Sequence, residues 1–285
     1  MSQSSRRLFL AGGTALLAAA AIRADDRVGK IPEIEAGLGG RLGMYALETG
    51  SGRELAFRAD ERFAMCSTFK ATLAAAVLGR LDSGAIDRSE VLRFDPAELL
   101  PTSPVAARSG GSIGVLAACE AVVSYSDNTA ANLLLGKMGG PPGLTAFFRQ
   151  LGDDVSRLDR YELELNANVA GDPRDTTTPR AMAGTLQRLL LGDALGTASR
   201  DLLTGWMLNE QNGKARVRAG MPADWRVANK PGTSNNGATN DIAVAWPPGD
   251  APIVLAVFVN APTADGAARQ RAIAQVARVV AAEFA

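Results

Sequence analysis

The chain of 285 residues carries thirty basic and thirty acidic side chains and no histidine, with 47% hydrophobic and 21% charged residues. That length and balance describe a globular protein with ample chain for a core, and the zero net charge argues against a nucleic-acid partner or a membrane surface held by charge. The missing imidazole excludes a Ser-His-Asp relay and the commonest metal ligand, so chemistry must run on carboxylates, lysines and hydroxyls, with no metal or cofactor expected.

Residues 1–24 read as an export signal of twin-arginine type. Ser4-Ser5-Arg6-Arg7-Leu8-Phe9-Leu10 precedes the apolar run AGGTALLAAAAI and then Arg23-Ala24-Asp25-Asp26. The run is shorter than the roughly 20 residues of a membrane span, so removal near residues 21–24, a periplasmic or secreted destination and no membrane partner thereafter are expected. Residues 25–285 read as one domain. RLGMYALETGSGRELAFRADERF holds two strand-like runs around Thr49-Gly50-Ser51-Gly52, a hairpin signature. From Ser67 to about Leu208 apolar residues recur at helical spacing between Gly, Pro and Thr breaks, which predicts an all-α block. DWRVANKPGTS, NDIAVAWPPG and APIVLAVFVNAP return to strands, and an amphipathic helix runs from about Ala264 to the end. The expected fold class is α+β: an antiparallel β-sheet flanked by helices and built from both termini (25–60 and 209–285), with an inserted all-α lobe (61–208) and the active site between them. Cys66 and Cys119 both lie in apolar, helix-like contexts and are expected as reduced, buried thiols.

The residues that carry chemistry fall in four ordered places. In MCSTFK, Ser67 opens a helix and Lys70 follows one turn later on the same face, where a neutral amine can take the hydroxyl proton directly or through water. Alone, this spacing fits a capping serine and a surface lysine better. Lysine is scarce in this chain, however: only Lys30, Lys70, Lys137, Lys214 and Lys230 occur. Tyr125-Ser126-Asp127-Asn128 is a polar cluster lodged in an apolar helical block. RYELELN sets Glu162 and Asn166 in a stretch without apolar periodicity, closed by Asp172-Pro173-Arg174-Asp175, where an Arg160 to Asp175 ion pair would rim a compact loop. Asn229-Lys230-Pro231-Gly232-Thr233-Ser234 places a cation, a close-approach glycine and two hydroxyls on one strand edge.

Together these motifs resemble the class A serine β-lactamases, and the likeness extends over the whole mature chain, including WMLNEQNGKARVRAGMPADW, GATNDIAVAWP and DTTTP. The resemblance implies hydrolysis of the β-lactam ring through an acyl-enzyme on Ser67, with Lys70 as its neighbour and Ser126 passing a proton to the lactam nitrogen. It implies that Asn128 binds the substrate's side-chain amide, that Asn132 steadies the loop bearing Glu162, and that Glu162 with Asn166 holds the hydrolytic water. Lys230, Thr233, Ser234 and Arg216 would meet the substrate carboxylate, and the backbone N–H groups of Ser67 and Thr233 the oxyanion. Lys70 and Glu162, coupled through water, would thus replace the missing imidazole.

Departures accompany the likeness. Pro231 stands where the family usually carries a hydroxyl residue, so the carboxylate site lacks one ligand, for which the resemblance offers Thr233, Ser234 and Arg216 as replacements; a solvent-exposed arginine is the other reading of Arg216. A proline there is tolerated only on an edge strand. Thr102 replaces an aromatic gate residue, and neither Cys66 nor Cys119 has its family partner, which would stand at Ser234 and Ala74. Competing readings are a penicillin-binding D,D-peptidase, which the carboxylate in ELELN disfavours, and a catalytically silent β-lactam or peptidoglycan sensor, which only Pro231 encourages. The small-molecule β-lactam is the expected partner, and a monomer the expected state.

Overall fold

The computed structural model describes residues 29–285; the expected export signal at 1–24 lies outside the described residues. Helix α1 (Lys30–Leu38) ends at Gly39, whose φ of +61° gives the left-handed turn that glycine takes without steric cost. Strands β1 (Arg41–Glu48) and β2 (Glu54–Phe57) form the expected hairpin, with Leu47 opposite Glu54.

The middle of the chain departs from the all-α expectation. Strand β3 (Phe63–Ala64) leads into a 3₁₀ turn (Cys66–Thr68) before helix α2 (Phe69–Asp82), and strand β4 (Val91–Arg93) pairs with β5 (Ser112–Gly114). Helices α3 (Val115–Ser124), α4 (Asn128–Lys137) and α5 (Pro141–Gln150) follow. Strand β6 (Thr176–Thr177) then returns to pair with β3 ahead of helix α6 (Pro179–Leu190). The residues between 61 and 208 therefore include two small two-stranded sheets. Ladders of two or three residues fall below the length at which alternation registers in a sequence.

Helices α7 (Thr197–Leu208) and α8 (Val217–Gly220) precede strands β7 (Arg226–Thr233), β8 (Ala238–Trp246) and β9 (Ile253–Asn260), and the long helix α9 (Gly266–Phe284) closes the chain. The main sheet has the order β2-β1-β9-β8-β7 and is antiparallel throughout, so the first strand pairs with the last, Arg41 opposite Asn260. This is the α+β architecture with a sheet assembled from both termini.

Both faces of the sheet are covered, which explains why β9 reads as an unbroken apolar run. Ile253, Leu255, Val257 and Val259 pack with α1, α8 and α9, while Val254, Ala256 and Phe258 pack with the helical side. Strand β7 is left as an edge, bearing Pro231 as the proline rule requires. No helix among the described residues is long and apolar enough to cross a membrane.

Candidate active site

A cleft of about 700 Å³ opens beside β7, lined among others by Ser67, Ser126, Asn166, Arg216 and Thr233. Ser67 sits in the 3₁₀ turn and not, as the spacing alone suggested, in the first turn of the α-helix; α2 begins at Phe69 with no side-chain cap. The turn is fixed from beneath. Asn240 of β8 donates from Nδ2 to the carbonyls of Ala64 and Met65 at 2.8 and 3.1 Å. Gly232 lies so close that a Cβ there would stand 2.8 Å from Met65 O and 3.1 Å from Ser67 N. Only glycine lets the edge strand approach the Ser67 amide in this way. Three non-glycine residues take left-handed backbone conformations at the site, Cys66 with φ +47°, Thr102 with φ +57° and Ser126 with φ +59°, where local strain is held by the surrounding packing.

Lys70 is fully buried. Its Nζ donates to Ser126 O at 2.9 Å and to Asn128 Oδ1 at 2.5 Å, and lies 2.9 Å from Glu162 Oε1. Burial pushes the amine below its ordinary pKa, against the pull of the Glu162 carboxylate. Asn128 Nδ2 donates to Pro101 O at 2.7 Å, so both ends of this carboxamide have protein partners. Asp127 caps α4 through Ala130 N and also accepts from Val105 N and Ala106 N, which fastens the opposite rim.

Glu162 is gripped from the helical side by Asn132, which donates to Glu162 O at 3.0 Å and accepts from Glu162 N at 2.9 Å. Asn166 Nδ2 donates to Glu162 Oε2 at 2.6 Å. Glu162 Oε1 and Asn166 Oδ1 are buried acceptors with no hydrogen bond of good angle, the Lys70 contact being off-axis. Buried acceptors of this kind are suited to a water molecule that donates to them. The base of this loop is closed by Asp175, which takes the amides of Asp159 and Arg160 at 2.7 and 3.0 Å and faces Arg160 Nε at 2.5 Å.

On the strand side, Lys230 Nζ donates to Ser126 Oγ at 3.2 Å and is fully buried. Burial drives its pKa down to about 7; the Glu210 carboxylate opposes the shift and the Lys70 charge adds to it. Arg216 donates to Gly232 O at 2.8 Å, Asn240 O at 2.7 Å and Thr233 Oγ1 at 2.6 Å, which lays its guanidinium along the edge of β7. Ser234 Oγ donates to Asn166 O at 2.8 Å, joining this strand to the loop that bears Glu162.

The structure thus brings Ser67, Lys70, Ser126, Asn128, Glu162, Asn166, Lys230, Thr233, Ser234 and Arg216 to one cleft and sets Asn132, Arg160 and Asp175 behind it. Sequence reasoning missed the supports beneath. Asp241, directly opposite Pro231, accepts from Asn229 Nδ2 and Val217 N, and burial pushes its carboxyl up to about 6. Glu210 accepts from the amides of Asn212 and Gly213, folding the turn that leads to Arg216. A signal was available for the first: an Asn-Asp pair opening the apolar run NDIAVAW puts polar side chains where a buried strand needs a reason for them. Cys66 and Cys119 are free and buried, and burial pushes both thiols up to about 12.

Comparison with known proteins gives a consistent result. The profile of the β-lactamase enzyme family matches residues 27–284. The carbapenem-hydrolysing β-lactamase KPC of Klebsiella oxytoca is 47% identical over 251 residues, covering 87% of this chain and 85% of the relative. A β-lactamase of Amycolatopsis lactamdurans is 51% identical over 223 residues, with 77% and 72% covered. Among solved structures, the class A β-lactamase reconstructed as the last common ancestor of Gram-negative bacteria superposes with a TM-score of 0.89 at 52% identity, covering 91% of this chain and 99% of the other. A β-lactamase from Xanthomonas campestris superposes with a TM-score of 0.88 at 47% identity, with 90% and 97% covered. With whole-chain similarity to solved class A enzymes and with a serine, a buried lysine–glutamate pair and a strand-borne lysine around one cleft, this chain belongs to the β-lactamase enzyme family as a serine hydrolase of class A.

Proposed function

We propose that hydrolysis of β-lactams by this chain runs through acylation of Ser67 and release of the acyl group by water activated at Glu162. The chain opens the β-lactam ring of penicillin- and cephalosporin-type compounds, the activity that gives resistance to them. In the proposed course, the Ser67 hydroxyl attacks the lactam carbonyl and its proton passes to the Lys70–Glu162 pair. The C–N bond breaks as Ser126 delivers a proton to the leaving nitrogen and regains one from the Lys70–Glu162 pair; the Lys230 amine donates to the Ser126 hydroxyl and the Lys70 amine to the Ser126 carbonyl. The oxyanion meets the amides of Ser67 and Thr233, and Gly232 allows their close spacing. A water between Glu162 and Asn166 then gives its proton to Glu162 and attacks the ester, freeing Ser67. Asn128 is assigned to the substrate's side-chain amide and the Arg216–Thr233–Lys230–Ser234 edge to its carboxylate.

The observation that carries this reading is the fully buried Lys70–Glu162 contact of 2.9 Å within the cleft. Burying two charges is costly, and a hydrolase has a use for that cost: the pair exchanges protons without an imidazole. Export by the N-terminal segment to the periplasm or the exterior, one catalytic domain over 25–285 and action as a monomer complete the proposal. Purified protein mixed with a chromogenic cephalosporin is expected to produce sustained colour change, abolished in Ser67→Ala. One equivalent of colour followed by a stable covalent adduct would assign the chain to the penicillin-binding peptidases or sensors instead.

A further inference from the structure

Asn240 is a fully buried polar residue on the interior strand β8, paired with Gly232 of β7 on one side and Phe258 of β9 on the other. A carboxamide in such a place is costly unless its polar atoms are held. Its Nδ2 donates to the carbonyls of Ala64 and Met65, while its Oδ1 is buried with no hydrogen-bond partner. Its own backbone carbonyl accepts from Arg216 Nη1 at 2.7 Å. One residue thus holds the turn that carries Ser67 by its side chain and the cation assigned to the substrate carboxylate by its backbone.

Each carbonyl lies in the plane of its peptide unit, so fixing Ala64 O and Met65 O fixes two successive planes ahead of Ser67. Met65 O also accepts from Thr68 Oγ1 at 2.7 Å. The following plane is set from the other side, where Cys66 O accepts from the amide of Phe69. Cys66 lies between planes fixed at both ends and takes φ +47°, a conformation that is unfavourable for a residue with a Cβ. In a trans peptide the N–H points opposite to the C=O, so a Cys66 carbonyl turned to Phe69 turns the Ser67 N–H away from it. That amide meets the space left by Gly232, the β7 partner of Asn240, where a Cβ would stand 3.1 Å from Ser67 N.

We propose that Asn240 is a positioning residue for the oxyanion site: its paired donation to Ala64 and Met65 holds the left-handed turn at Cys66 and so aims the Ser67 amide at the oxygen that gains charge when the lactam carbonyl is attacked. The inference rests on the assignment of Ser67 to acylation by β-lactams. Asn240 touches no reacting atom; it acts through the peptide planes that lead to Ser67.

Asn240→Ala removes both donations and leaves in place the backbone carbonyl that holds Arg216. In stopped-flow acylation by a chromogenic cephalosporin, the rate constant at saturation is expected to fall about tenfold, a part of the roughly 10²–10³-fold loss that follows outright removal of an oxyanion donor. The half-saturating concentration should stay within about twofold of wild type, because the carboxylate contacts are untouched. An aryl boronic acid, which adds to Ser67 as a tetrahedral anion resembling the transition state, should bind about tenfold more weakly. Asn240→Leu keeps the branched shape without a donor; it is expected to give the same changes and decides the matter if Asn240→Ala does not fold. A merely structural role would lower thermal stability and leave both the acylation rate constant and the boronic-acid affinity within about twofold of wild type, and that result overturns the proposal. A raised half-saturating concentration at unchanged rate constant would overturn it too, by placing the effect at Arg216. A wild type that acquires no acyl group at Ser67 would overturn the acylation reading itself, and this inference with it.

Discussion

Lys230 is fully buried, and its amine is pushed from 10.5 down to about 7, burial being the largest cause. Between those two values the unfolded chain binds more protons than the folded one, so stability rises with pH across that window; below about 7 the cost of the buried charge is present in full. Lys230→Met is therefore expected to raise thermal stability, by about 1–4 kcal/mol at pH 6, while weakening binding of substrates that carry a carboxylate. Circular-dichroism melts check the first half and KM the second; a less stable variant would mean that the amine contributes more by hydrogen bonding to Ser126 than it costs by burial. In the wild type, kcat/KM for such substrates should fall as pH rises through about 7, and kcat should hold to higher pH because a bound carboxylate keeps the amine protonated. Pro231 and Arg216 form the second case. Arg216 Nη2 lies 2.6 Å from Thr233 Oγ1; on the proposed assignment of both to the substrate carboxylate they would compensate for the missing hydroxyl at Pro231, so Pro231→Thr should change kcat/KM by less than about threefold alone and by about tenfold in an Arg216→Ala background. Equal gains in both backgrounds would remove Arg216 from the carboxylate site. Ser67, Lys70, Ser126 and Lys230 are legible because each sits in a short motif. Asn240 and Asp241 are not, since their partners are distant along the chain: Asn240 holds a carbonyl 176 positions away, and no local pattern encodes such a pairing.

Among the elements, the Glu162 loop depends most on a single clamp. Asp175 is fully buried, has φ +58°, and gathers two amides and the Arg160 guanidinium onto one carboxylate. Asp175→Asn keeps the shape and removes the charge, leaving Arg160 without its closest counter-ion. A loss of about 3 kcal/mol is expected, visible as a fall in Tm of about 6–12 °C, with a larger drop in kcat than in kcat/KM because release of the acyl group depends on the loop. A variant with unchanged kcat would show that Asn132 alone is sufficient to place Glu162. The hairpin, the three C-terminal strands and the long last helix were readable because each is longer than one period of its pattern. The β3–β6 and β4–β5 ladders and the 3₁₀ turn under Ser67 were hidden, being two or three residues long and specified by partners up to 114 positions apart.

At the scale of the molecule, the sheet joins the two ends of the chain and the helices inserted between them supply the other wall of the cleft. Ser67, Lys70, Ser126 and Glu162 come from the inserted part, Lys230 and Arg216 from the returning strands and their approach. The seam between the parts is where Lys70, Glu162, Lys230 and Arg216 are buried, and the sheet behind it is closed by the pairing of the first and last strands along their whole length. The α+β class follows from the sequence because strand patterns stand at both ends with helical patterns between. The order of strands does not, since nothing local sets β1 beside β9. Release of the acylated Ser67 by Glu162 is measured by intact-protein mass spectrometry of Glu162→Ala after a pulse of benzylpenicillin. The expected result is an adduct of one intact penicillin per chain, absent in Glu162→Ala/Ser67→Ala, that persists while the wild type returns to its unmodified mass. Rapid return of Glu162→Ala to the unmodified mass with continued turnover would contradict it.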